Sequence, residues 1–160
     1  MSSVSIGGAD AAVKVAVEKT VQNVNQQVLS RATRAVNAMR NAELDVLKGQ
    51  RSGKVYKKPG GGTYRASAPG EPPARRTGNL RLHWNGSVEA GTSSGQGVSV
   101  KLQLESMETK YNDYMEHGTP GGMIAPRPYV DRITEKATPD VVAIYSESYE
   151  QGRCDCGIDR

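Results

Sequence analysis

The sequence predicts an α+β domain: a long N-terminal helix packed on a small antiparallel sheet, with a C-terminal helix beside it. Three patterns carry this prediction. Small and apolar residues recur in steps of three and four from Val13 to Met39, the spacing of one helical face. Val98, Val100, Leu102 and Leu104 alternate with polar residues, the period of a strand with one buried face. Helical spacing then returns at Val130, Ile133, Ala137, Val141, Ile144 and Tyr145. At 160 residues the chain is read as one domain spanning 1–160.

The first helix is expected from Asp10 to Leu47. Its stripe is Val13, Val17, Val21, Val24, Val28, Ala32, Ala35 and Met39; Asp10 can cap its start and Gly49 follows its last apolar pair. At ~1.5 Å rise per residue such a helix is about 57 Å long, more than a small core covers. It must break or find a neighbour. A stripe of Val and Ala favours a helix laid on a sheet over a coiled coil.

Residues 50–79 read as a long extended loop punctuated by Gly and Pro, with Val55, Tyr56 and Tyr64 able to form a short hairpin around Gly60-Gly61-Gly62. So few apolar residues lie there that the stretch from Gln50 to Pro73 is expected to be mobile in the isolated subunit and to order in an assembly. Leu80, Leu82 and Trp84 alternate with Arg81, His83 and Asn85, which predicts a strand paired antiparallel with the one at Val98. The intervening Ala90–Gly97 is turn material. Tyr111, Tyr114 and Met115 lie on one face of a short helix stopped by Gly118. The last helix is expected over Tyr129–Gln151, with Pro139 either kinking it or starting a second helix. Residues 152–160 form a flexible tail.

Composition narrows the function. The chain has no Phe, one Trp and 18 Gly, and its hydrophobic share is 36%; such poverty in core material suits a subunit completed by neighbours. Its net charge of +4 is unevenly spread. Between Lys48 and Arg81 lie nine basic residues and one acid, Glu71, while most acids lie from Glu105 onward. A basic loop of this kind fits an acidic neighbour or passing DNA. Lys54, Lys57, Lys58, Arg65 and Arg75 are its candidate contacts.

No catalytic constellation stands out. His83 and His117 are the only histidines, neither flanked by an acid–nucleophile arrangement. His83 reads as a solvent-facing strand residue, and His117 beside Glu116 falls short of the three or four ligands a zinc site uses. Gly60-Gly61-Gly62 lacks the Gly-Lys-Ser/Thr ending of a phosphate-binding loop. Cys154 and Cys156 are read as a frayed tail. No cofactor, metal or enzymatic activity is expected. The N-terminus shows no secretion pattern, and no apolar run approaches the roughly 20 residues that span a bilayer.

Three segments bear a family resemblance. Arg76-Thr77-Gly78-Asn79-Leu80-Arg81 comes first, then Tyr111-Asn112-Asp113-Tyr114-Met115-Glu116-His117-Gly118-Thr119. Ala125-Pro126-Arg127-Pro128-Tyr129-Val130 closes the series. Their order resembles the tailed-bacteriophage neck and tail-completion proteins, akin to lambda-type minor tail protein Z, over about Arg75–Tyr149. The chain departs from that pattern at His83-Trp84, where the family usually has Ser or Thr, and at Tyr129, where it usually has Phe. The resemblance implies a structural virion protein, made in the host cytoplasm, that forms a ring, six-fold by analogy, at the head–tail joint around the DNA channel. Implied partners are copies of itself, the connector or stopper, the tail terminator or tube, and channel DNA; no membrane is involved. A different class of function, a nucleic-acid-binding module using residues 48–81, stands beside it.

Within these segments the candidate structural or intersubunit residues are Arg76, Thr77, Gly78, Leu80, Arg81, Tyr114, Glu116, Gly118, Thr119, Arg127, Pro128 and Tyr129. Gly78 suits a positive-φ turn before the strand and Gly118 a helix stop. Pro126 and Pro128 hold Arg127 extended, so that its guanidinium can pair with a carboxylate. Glu116 is the candidate partner, in the same chain or across a subunit boundary; two separately solvated charges are the plainer alternative.

Overall fold

The computed structural model describes residues 7–75, 77–92, 98–107 and 109–149. The order of elements is α1 (Gly7–Val46), β1 (Val55–Lys57), β2 (Thr63–Arg65), α2 (Asn79–Leu82), β3 (Trp84–Thr92), β4 (Val98–Ser106), α3 (Thr109–His117) and α4 (Val130–Ser146). The α+β architecture is as expected. α1 lies against both the β3–β4 hairpin and α4, and both two-stranded sheets are antiparallel. Among the described residues no helix is long and apolar enough to cross a membrane.

α1 runs unbroken for 40 residues, and only part of it is covered. Ala32, Ala35, Val36 and Ala42 are buried, as is Leu47 just past its end, while Val13 and Val17 are 61% and 55% exposed. Small residues at the covered positions let other backbones approach closely. A Cβ added to Gly86 in β3 would lie 2.4 Å from the Val36 side chain, so this glycine sets the helix–sheet distance. Trp84 packs on the core cluster that includes Ala42 and Leu47, and Gly86 meets Val36.

The core gathers Ala42, Leu47, Met115, Tyr129, Ile133 and Ala137, with Met39, Val46, Leu80, Trp84 and Leu104 against them. Trp84 meets Tyr129 edge to face at 6.1 Å between ring centres, the arrangement aromatic quadrupoles favour. Two ion pairs, Lys136–Asp45 at 2.9 Å and Arg34–Glu147 at 2.6 Å, fix α4 antiparallel to α1. Arg31 adds bonds to the carbonyls of Glu147 and Ser148 and lies 3.9 Å over the Tyr149 ring.

Three expectations change. Residues 79–82 form a helical turn, not a strand, and the strand begins only at Trp84. Leu80 and Trp84 are also spaced i, i+4, so the apparent alternation fits a turn of helix equally well; Leu82, the residue between them, is 65% exposed. Gly78 does adopt positive φ, 94°, but as the residue preceding this turn. β3 also runs to Thr92, into what reads as turn material. Pro139 sits inside a continuous α4, which ends at Ser146 instead of Gln151. Within residues 50–79 the short hairpin forms as expected, pairing Tyr56 with Tyr64 and stacking their rings 5.6 Å apart. The tail with Cys154 and Cys156 lies outside the described residues.

Candidate functional site

The second and third motif segments fold onto each other. Tyr129 occupies the N-cap of α4 without a side-chain capping bond of its own, leaving the helix's first donors open. Glu116, reaching from α3, accepts from the Tyr129 amide at 3.0 Å and the Val130 amide at 3.4 Å. An anionic cap also suits the positive end of the helix dipole. The Arg127 amide meanwhile donates to the Met115 carbonyl at 2.8 Å.

Between them Gly118, at φ +82°, reverses the chain so tightly that a Cβ would stand 2.8 Å from the Ile124 carbonyl oxygen. Thr119 closes the loop, its amide donating to Ile124 O and its hydroxyl accepting from Ile124 N at 3.0 Å. Glycine at 118 is therefore required twice over, by conformation and by space.

Arg127 and Glu116 do not pair within the chain. The Arg127 guanidinium turns to the loop after β2, where its Nη1 donates to the Ser67 carbonyl and hydroxyl and, at 3.3 Å, to the Ala68 carbonyl. A second clip lies beside it. Glu71 accepts from the Ser52 hydroxyl at 2.5 Å and from the amides of Ser52 and Ala68 at 3.0 and 2.9 Å. The Ser52 hydroxyl bond and the two amide bonds hold its carboxyl far down, at about 2. Arg51 adds bonds to the Val46 and Pro73 carbonyls at 2.8 and 3.2 Å. Polar ties thus fix a segment too poor in apolar residues to fix itself.

The first motif segment joins through its apolar members. Leu80 packs on the core and Gly78 is buried, while the Thr77 hydroxyl accepts weakly from the Asn79 amide at 3.4 Å. Arg81 is half-buried, its Nε without a hydrogen-bond partner. Arg76 lies outside the described residues. Tyr114 is largely exposed and Pro128 half-buried. Lys54, Lys57, Lys58, Arg65 and Arg75 are exposed.

Glu43 was not read from the sequence as a candidate. It is 0% exposed, bonded to Arg40, with Oε1 lacking a partner. Burial pushes its carboxyl up to about 7, against the pull of Arg40 and Arg81. The signal was present: Met39, Glu43 and Leu47 follow the same four-residue step. Glu71 also had a signal, as the single acid among nine cations; Ser67 had none.

Among the described residues no group of three or more His, Cys, Asp or Glu is placed to hold a metal. His83 is exposed as expected, but it follows α2 and bonds the Asn79 carbonyl at 2.9 Å. His117 lies 3.8 Å from Asp113 on the surface. Comparison of the chain with protein-family models, curated proteins and solved structures finds no match.

Proposed function

We propose that this chain is a structural subunit of the head–tail joint of a tailed bacteriophage, forming a ring that completes the tail and links it to the head connector around the DNA channel. It acts as a building block and not as a catalyst. The proposal begins from the three motif segments. The observation that best supports it is the amount of chain left without cover: every residue from Asp10 to Thr20 is exposed although α1 continues through them. A helix of that length normally derives its stability from packing an apolar face. Val13 and Val17 are suited to a neighbouring subunit.

A closed ring needs a heterologous contact, one face of a subunit meeting a different face of the next. The basic β1–β2 hairpin and the more acidic α3 region supply two unlike faces. Arg127 and Glu116 then act inside the subunit, holding the loop and α4 in place so that those faces keep a fixed relation. Deleting this protein from its phage is expected to leave heads and tails unjoined, or tails of unstable length, by electron microscopy. Joined and infectious particles would reject the assignment.

The β1–β2 hairpin also favours a second reading, a nucleic-acid-binding module. The hairpin segment carries Lys54, Lys57, Lys58 and Arg65 together with the Tyr56–Tyr64 stack, and Tyr56 is exposed. Such a module binds short DNA at low salt and loses it steeply as salt rises. A ring subunit instead self-associates and binds DNA weakly.

A further inference from the structure

The β1–β2 hairpin presents two different faces. Cross-strand partners are Val55–Arg65, Tyr56–Tyr64 and Lys57–Thr63. Alternation therefore puts the tyrosine pair on one face and Lys57 and Arg65 on the other. Lys58 follows at the tip, where Gly60, Gly61 and Gly62 all adopt positive φ and a Cβ on any of them would meet nothing within 4 Å. The tip stands in open space. Among the described residues, the ammonium groups of Lys54, Lys57 and Lys58 have no hydrogen bond or ion pair.

A groove of about 480 Å³ lies elsewhere on the same subunit, between β4, α3 and the start of α4. Trp84, Tyr129 and Val130 give it apolar walls, and Glu105, Asp113 and Glu116 give it an acidic rim. Whatever fills the groove should bring a cation and some apolar stem. A hairpin tip meets both needs: the lysine ammoniums face the acidic rim and their methylenes can lie along aromatic walls.

Resting on the ring reading above, we infer that the β1–β2 hairpin of one copy seats its Lys57–Lys58 tip in the Trp84–Asn112–Asp113 groove of the next. The contact is heterologous, so each subunit offers one hairpin and one groove, and repetition closes a ring or extends a filament. Opposite charges fix the register and reject a hairpin-to-hairpin or groove-to-groove pairing.

The test uses two charge-reversed proteins, Lys57→Glu/Lys58→Glu and Glu105→Lys/Asp113→Lys. All four side chains are exposed, and melting curves check that both variants fold. In analytical ultracentrifugation at low salt, each alone should self-associate at least tenfold more weakly than the unaltered protein. Mixed in equal amounts, the unaltered hairpin of one meets the unaltered groove of the other, and the reversed hairpin meets the reversed groove with opposite charges again. The mixture should therefore recover self-association, in assemblies that alternate the two variants.

If either variant assembles like the unaltered protein, the hairpin-in-groove contact is wrong while a ring built on other surfaces survives. If the mixture associates no better than either variant alone, the contact is likewise wrong. An unaltered protein that stays monomeric at all concentrations would remove the ring reading as well. Should the hairpin variant keep self-association but lose salt-dependent binding to short DNA, the hairpin serves nucleic acid and the inference falls.

Discussion

The two halves of α1 are made of similar material and meet different fates. Residues 32–46 carry Ala32, Ala35, Val36 and Ala42, all buried on a helix that lies against the hairpin and α4. Residues 10–20 carry Val13 and Val17 on the continuation of the same stripe, both exposed. Helical periodicity is a property of the local chain, but burial needs a partner within reach. The first half lies beyond Glu147 and Ser148, the residues that Arg31 ties to α1. The difference teaches that an apolar stripe shows where a surface faces, while the length of the covering elements decides what covers it.

The sharpest way to break this comparison is one substitution made in both halves. Ala35→Asp places a carboxylate at a site with 0% exposure, and burying an unpaired charge is among the most damaging changes known. A loss above about 4 kcal/mol is expected, a large share of an ordinary domain's roughly 5–15 kcal/mol. Val17→Asp should change the isolated subunit's stability by less than about 0.5 kcal/mol. Equal effects in chemical denaturation would show that the first half is covered within the subunit.

Tyr129→Ala probes the covered half from the opposite side. Tyr129 is 1% exposed and packs on Trp84, so its removal should cost about 3–5 kcal/mol. The result is read as a lower melting temperature. Tyr129→Phe should be mild by comparison, because no hydrogen bond to the hydroxyl contributes among the described residues.

Glu43 gives the covered half a dependence on pH. Its carboxyl is raised by burial from 4.5 to about 7, so the folded state holds a proton that the unfolded chain has already released. Stability is therefore greatest below about 4.5, falls as pH rises toward 7, and levels off above it. The contribution of this group is at most about 3 kcal/mol. Glu43→Gln, which cannot ionise, should flatten the curve between pH 5 and 7; an unchanged slope would assign the effect to other groups.

The smallest effect concerns the polar clips of the loop. Glu71→Ala removes the acceptor for three donors and should speed proteolysis near the Gly60–Gly62 turn while leaving the melting temperature nearly unchanged. If cleavage does not accelerate, the Arg127 bonds to Ser67 and Ala68 hold the loop by themselves. The Glu71 carboxyl titrates far down, near 2, so its hold should persist through neutral pH and weaken only as the carboxylate is protonated in strong acid.

The sequence by itself determined the elements whose signals are local. These are the helical stripe of α1, the alternation of β4, the glycine hairpin between β1 and β2, and the stop at Gly118. Each depends on backbone preference or side-chain period over a few residues. Leu80 to Trp84 escaped because a short apolar run fits both periods, and only the core beneath Leu47 and Tyr129 decided for a helical turn. The carboxylates escaped more completely. Glu116 and Arg127 were legible as special residues but not in their contacts, since the nearest acid to an arginine in sequence need not be its partner in space. Tertiary structure assigned Glu116 to the open amides of α4 and Arg127 to carbonyls 59 and 60 residues away. Those amides and carbonyls are backbone groups that every residue carries, so side-chain identity alone gives no sign of which ones lack a partner.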